Sequence, residues 1–210
     1  MTLPVEIYID PSCPWAWITH AWLTEVAPSR DLDVRWRPYC LEIRDEYDVA
    51  PTVPRERRDL VIAAHELSHR MLRVIESARA ALGDEVVEPL YAAWGKRFFG
   101  TGQRDDTLVA DVVASCGLDA DLLSAASDEK WDEPIVTAMD IAYAFGGQKT
   151  QTPTIVVRQD PPHGFKGPVM APAPTGDDAV ELWDAIQVLS RQQSVFEITR
   201  PRANRPIPEV

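Results

Sequence analysis

The chain has 210 residues, 45% of them hydrophobic and 26% charged. That describes a folded globular protein, with one ordinary domain or one domain carrying a large insertion, and excludes a disordered chain. Its formal net charge of −12 argues against a nucleic-acid partner, which needs a concentrated positive surface, and against docking on anionic membranes.

Residues 4–9 are expected to form a buried strand on the run Val5-Glu6-Ile7-Tyr8-Ile9. Pro14 to Val26 reads as a helix, with proline suited to its first turn and Trp15, Ile18, Trp22 and Val26 along one face. Leu32 to Trp36 alternates apolar and charged residues as a half-exposed strand does, so the chain opens β-α-β with a right-handed crossover and parallel strands. Pro51 to Pro54 breaks the pattern.

A long helix follows, its apolar stripe marked by Leu60, Ala64, Leu67, Met71, Ile75, Ala78 and Leu82. Gly83 ends it, and Asp84 starts a second helix through Leu90, Trp94 and Phe98. Shorter helices are expected near 106–116, with Gly117 as the C-terminal cap, then at 119–127 and 132–145, the last ended by Gly146-Gly147. Thr154 to Val157 returns to strand, Gln159 to Gly164 turns, and Phe165 to Val169 forms a short strand. Thr175-Gly176-Asp177 caps a final helix to about Leu189, and a Pro-rich tail from Pro201 is extended.

This order gives an α/β protein: a thioredoxin-like fold with an all-helical domain inserted between the second and third core strands. The expected divisions are 1–50 for the first part of the core, 51–148 for the helical insertion, 149–200 for the second part of the core, and 201–210 for the tail. No apolar run approaches the roughly 20 residues that span a bilayer. The N-terminal residues lack the pattern of a secretory signal, so a reducing cytoplasm is the expected compartment.

The chemistry centres on Asp10-Pro11-Ser12-Cys13-Pro14-Trp15-Ala16-Trp17. A cysteine at a strand-to-helix junction meets backbone N–H groups and the positive end of the helix dipole, which stabilise a thiolate. Redox proteins of this layout usually carry a second cysteine three residues on, where this chain has Ala16. Cys13 can therefore attack but cannot resolve its own mixed disulfide through position 16, and a second thiol must come from outside. Cys40, just past the second strand, is a possible internal resolving thiol if it reaches Cys13; a disulfide needs Cα atoms within about 7 Å. A spectator role for Cys40 is preferred, and Cys116 reads as core.

These residues resemble the DsbA-like thioredoxin-fold family, and most closely its actinobacterial branch of mycothiol-dependent nitroreductases. The resemblance rests on Asp10-Pro-x-Cys13-Pro14-Trp15-x-Trp17, Thr152-Pro153-Thr154-Ile155, Gly167-Pro168-Val169, Leu182-Trp183-Asp184-Ala185 and Phe196-Glu197. It implies a cis proline at Pro153, preceded by Thr152, facing Cys13, with the Thr152 backbone available to a substrate or thiol. It also implies a helical insertion covering the site, and mycothiol or a similar low-molecular-weight thiol as the electron source. The partners so implied are that thiol and a small electrophilic or nitro substrate, at a site built from Cys13, Pro14, Trp15, Ala16, Thr152 and Pro153, with no metal.

Two alternatives keep the fold: a thiol-cofactor-dependent isomerase or transferase, and a non-catalytic binding module. A rival from another class is a zinc metalloprotease through His65-Glu66-Leu67-Ser68-His69, which matches H-E-x-x-H on a helix. Its extended form fails at Leu72 and Ile75, and two solvent-facing histidines are the preferred reading. Trp15 is expected to offer an exposed apolar face, Trp17 and Trp22 to be core, and Glu42, Asp45, Glu46 and Asp48 to form a solvated loop.

Overall fold

The structure is a computed structural model that describes residues 2–44, 53–147, 151–202 and 206. Its elements run β1 (Leu3–Ile9), α1 (Pro14–Arg30), β2 (Leu32–Pro38), α2 (Leu41–Arg44), α3 (Arg58–Leu82), α4 (Val87–Gly95), α5 (Leu108–Ser115), α6 (Asp132–Gly146), β3 (Thr154–Val157), β4 (His163–Lys166) and α7 (Gly176–Ser190). This is the expected order of strand–helix–strand, helical block and strand–strand–helix. The chain divides into two compact units, one of Met1–Ile9, Cys13–Arg37 and Ile141–Glu209, the other built from Asp10–Ser12 and Pro38–Asp140.

The first unit holds a four-stranded sheet in the order β2-β1-β3-β4. β1 and β3 pair antiparallel, with Val5 opposite Val157 and Ile7 opposite Ile155. These four side chains are fully buried, each contributing roughly 1.5–3 kcal/mol relative to exposure. Glu6, in the middle of β1, is stabilised by its partners. Its carboxylate accepts from the Tyr8 hydroxyl at 2.8 Å, Arg158 Nε at 2.8 Å and Arg37 Nε at 3.3 Å. Burial alone would raise the Glu6 carboxyl, but the Tyr8 and Arg158 bonds outweigh it and hold it below the usual carboxylate range.

β4 begins two residues earlier than expected and ends at Lys166, because its antiparallel register with β3 pairs Val157 with His163 and Thr154 with Lys166. Pro168 has no N–H to extend the ladder, and Gly167 N–H instead donates to Pro153 O at 2.8 Å. A Cβ at Gly164 would lie 2.6 Å from Ile155 O, so only glycine lets these strands approach. α1 runs past Val26 to Arg30 and closes on Asp31 in the left-handed region, whose N–H returns to Ala27 O. α1 packs on α7: Trp22 and Trp183 rings lie 5.9 Å apart, and Trp22 Nε1 donates to Ala179 O at 2.9 Å. Thr175 precedes α7 without a side-chain cap. Glu25 of α1 takes that role, accepting from Gly176 N–H at 2.8 Å.

The second unit is built on α3. Of its predicted stripe, Leu67, Met71, Ile75 and Ala78 are buried, while the end positions Leu60 and Leu82 are exposed. Gly83, at φ 99°, stops the helix. The chain then makes a 3-10 turn at Asp84–Val86 before α4 starts, where the sequence suggested one helix from Asp84. A π turn over Lys96–Thr101 follows α4, with Phe98 stacked on Trp94 at 5.1 Å and the Arg104 guanidinium 3.3 Å from the Phe98 ring centre. The segment at 120–127 is a 3-10 run, and Gly117 and Gly147 end their helices in the left-handed region. Asp45, Glu46 and Asp48, Pro51 of the predicted break, and the tail beyond Arg202 other than Pro206 lie outside the described residues. No helix among the described residues is long and apolar enough to cross a membrane.

Candidate functional site

Cys13 is the N-terminal cap of α1, with extended backbone (φ −80°, ψ 112°). Pro14 fills the first helical position, where a missing N–H costs nothing. The first turn contains no acidic side chain to oppose a thiolate. Cys13 is 6% exposed, and its thiol donates to Thr152 O at 3.5 Å. The Thr152–Pro153 bond is cis. The Thr152 hydroxyl donates to Tyr8 O at 3.0 Å, which ties the loop before β3 to the end of β1. The Thr152 carbonyl is thus turned to Cys13 itself, where the resemblance implied backbone available to a ligand.

Ala16 is fully buried at the third helical position, beneath the cap residue. Trp15 is half-buried, and the Arg202 guanidinium lies over one face of its ring, 5.0 Å from the ring centre. Trp17 and Trp22 are core, as expected.

Two residues of the second unit carry weight that the sequence analysis passed over. Asp10 is fully buried. Its Oδ1 accepts from Ser12 N at 2.7 Å, Ser12 Oγ at 2.6 Å and Ser68 Oγ of α3 at 2.6 Å, and its Oδ2 from Leu41 N at 2.7 Å. One carboxylate therefore fixes the loop 10–12, the middle of α3 and the start of α2. Trp94 Nε1 adds a bond to Pro11 O at 2.8 Å. The chain passes from this anchored loop straight into Cys13. An acidic residue directly after a buried apolar strand was the available signal. Asp10→Asn is expected to lower stability by about 1–3 kcal/mol, read from the urea midpoint. The amide can satisfy Leu41 N–H or Ser12 N–H, but it turns a donor toward the other. An unchanged midpoint would refute this account.

Cys40 is fully buried. Its backbone N–H points to Met139 Sδ at 3.5 Å and its sulfur accepts from Ile43 N–H at 3.5 Å, so it serves as a cap for α2. Burial and the Asp10 charge push its thiol well above the ordinary cysteine value. Cys116 is half-buried rather than core; its thiol faces Pro89 O at 3.6 Å and is also raised by burial.

The H-E-x-x-H residues behave otherwise than either reading suggested. His69 is buried, not solvent-facing, and both ring nitrogens meet carboxylates: Nδ1 with Glu42 Oε2 at 2.9 Å, Nε2 with Asp132 Oδ1 at 2.7 Å. Arg73 clamps Asp132 through bonds of 2.7 and 2.6 Å. Glu42 belongs to this cluster on α2, not to a solvated loop. Burial pulls the His69 pKa down, but the two carboxylates outweigh it and hold it above the ordinary histidine value. His65 is half-buried and Glu66 exposed. Among the described residues no group of His, Cys, Asp and Glu side chains is placed to hold a metal ion.

A four-stranded sheet, α1 packed on α7, and a cysteine capping the helix after the first strand give the thioredoxin-like fold of the DsbA-like oxidoreductases. Residues 12–200 match the Rv2466c-like family, described as mycothiol-dependent nitroreductase Rv2466c, and the chain belongs to that family. It is 26% identical over 205 residues, 95% of this chain and 82% of the relative, to a Mycobacterium tuberculosis protein described as uncharacterized, Rv2286c. Among solved structures it is similar to the cytosolic disulfide reductase DsbM from Pseudomonas aeruginosa with GSH (TM-score 0.61, 17% identity, 89% of this chain and 100% of that one). It is also similar to the thiol-disulfide exchange protein alpha-DsbA2 from Wolbachia pipientis (TM-score 0.54, 15% identity, 90% and 82% covered). At these identities the structural likeness establishes the fold, a thioredoxin-like domain carrying a helical insertion.

Proposed function

We propose that this chain is a one-cysteine thiol–disulfide oxidoreductase, with Cys13 as nucleophile and a low-molecular-weight thiol of the reducing cytoplasm, mycothiol, as its reductant. The Cys13 thiolate attacks one sulfur of a disulfide, which releases the other half as a thiolate and leaves a mixed disulfide on Cys13. An external thiol then attacks that bond, frees Cys13 and departs as the oxidised partner. The same thiol supplies the electrons when a small electrophilic or nitro compound is the acceptor. The observation that carries the proposal is Cys13 capping α1 with a buried alanine at the third helical position. Cys40 supports it from the other side, since a buried, capping thiol of raised pKa is a poor nucleophile.

Trp15, Thr152 and Pro153 line the thiol's approach in this reading, and Pro14 shapes the first turn. The test is intact mass of the protein incubated with an oxidised low-molecular-weight thiol, without reductant. A single adduct is expected, absent in Cys13→Ser and retained in Cys40→Ala. Removal of the adduct should follow the concentration of added free thiol. An adduct that persists in Cys13→Ser would sink the proposal. Adduct-free protein that consumes no thiol would favour the isomerase or transferase reading.

A further inference from the structure

We propose that Arg202 selects anionic substrates for the Cys13 site, an inference that rests on Cys13 being the nucleophile. Residues 191–202 leave α7 without regular structure and are exposed throughout. Phe196 is 93% exposed and Ile198 72%. Yet the segment ends on a specific contact, the Arg202 guanidinium over the Trp15 ring at 5.0 Å. Trp15 is the second residue after Cys13, on the same helical turn. The tail thus brings a positive charge to the first turn of α1, two residues from Cys13.

A cation–π contact uses the charge of the guanidinium and none of its five N–H donors. Among the described residues Arg202 has no carboxylate partner. Among the described residues its donors are open to a carboxylate or another planar anion, which a guanidinium holds in two-point fashion. The ring face below it is meanwhile screened from a flat apolar ligand. In a chain of net charge −12, an anionic substrate is repelled at long range, and a local cation at the site reverses that within a Debye length. The substrate class this selects is a small disulfide or electrophile bearing a carboxylate near its reacting atom, as distinct from the reducing thiol.

The test uses the full chain with Cys116→Ser, so that Cys13 is the reporting thiol, and two aromatic disulfides. Dithiobis(nitrobenzoate) carries two carboxylates; dithiodipyridine is uncharged at neutral pH. With either, the Cys13 thiolate forms one new S–S bond, the reagent's S–S bond breaks, and one aromatic thiolate leaves as chromophore. Arg202→Gln is expected to slow the dianionic reagent by about fivefold at low salt and to flatten its salt dependence. The neutral reagent should stay within about twofold. Arg200→Gln, which removes the same charge two residues away, should leave both rates within about twofold. Equal slowing of both reagents, no change with either, or faster reaction with the neutral one would overturn the proposal, the last by making the tail a cover. Adding Cys13→Ser must abolish chromophore release; if it does not, the nucleophile assignment fails whatever Arg202 does.

Discussion

Ala16→Cys is expected to close an internal disulfide with Cys13 on mild oxidation, seen as a loss of two hydrogens in intact mass, where the natural chain shows none. The cap residue and the third helical residue face each other across the first turn. Their separation falls within the Cα distance of about 7 Å that a disulfide tolerates. Ala16 is fully buried, so the new sulfur is shielded from external oxidants while it lies next to Cys13. The added volume costs at most about 1–3 kcal/mol, which a thermal melt of the reduced variant measures separately.

The consequence for turnover is larger than that for stability. In the natural chain a mixed disulfide on Cys13 waits for an external thiol, so its release rate rises in proportion to that thiol. In Ala16→Cys the neighbouring thiol displaces the bound half internally, and release at low external thiol should speed up at least about tenfold. The reduction of the resulting internal disulfide then becomes the thiol-dependent step. Retention of a long-lived adduct in the variant, with release still proportional to external thiol, would show that position 16 does not limit resolution. The one-cysteine mechanism would then have lost its structural basis.

The parts of this molecule that are local in sequence were legible there. The apolar run of β1, the Pro14 start of α1 and the glycine stops at Gly83, Gly117 and Gly147 each follow from neighbouring residues. The end of β4 was not, because it depends on register with β3 and on Gly167 N–H turning to Pro153 O. His69 was misread for the same reason. Its carboxylate partners lie 27 residues before it and 63 after it, so no helical pattern reveals them, and a buried ion cluster passed for a polar face. Asp10 is hidden differently: it sits inside the Cys13 motif, but two of its four donors, Leu41 N–H and the Ser68 hydroxyl, lie 31 and 58 residues away. The Arg202 contact has no sequence signal, since an arginine in a Pro-rich tail looks solvated until the fold returns the tail to Trp15.

His69→Gln is expected to destabilise the protein by about 1–3 kcal/mol near pH 5.5, with the difference shrinking as the pH rises. Both ring nitrogens face carboxylate oxygens, so the bonded form is the doubly protonated imidazolium, donating to Glu42 and Asp132 at once. The groups facing it are Glu42 from α2, Asp132 from α6 and Arg73 from its own helix. Burial opposes the charge, but the carboxylates outweigh burial and raise the pKa. A raised folded pKa means that the stabilisation is fully present below the unfolded value of about 6.5 and is lost as the pH climbs through the folded one. Asp132 sets the acid limit. Burial would raise its carboxyl, but Arg73 and His69 hold it lower, so its contribution is present above about pH 4 and lost as the pH falls through its folded value. The cluster should therefore stabilise most between about pH 4 and 6.5. Thermal melts of the natural chain and His69→Gln across pH 4.5–9 read this directly, at roughly 2–4 °C of Tm per kcal/mol. A Tm gap that stays constant over that range would show that His69 is held neutral, and a gap that widens toward alkaline pH would reverse the assignment of its charge.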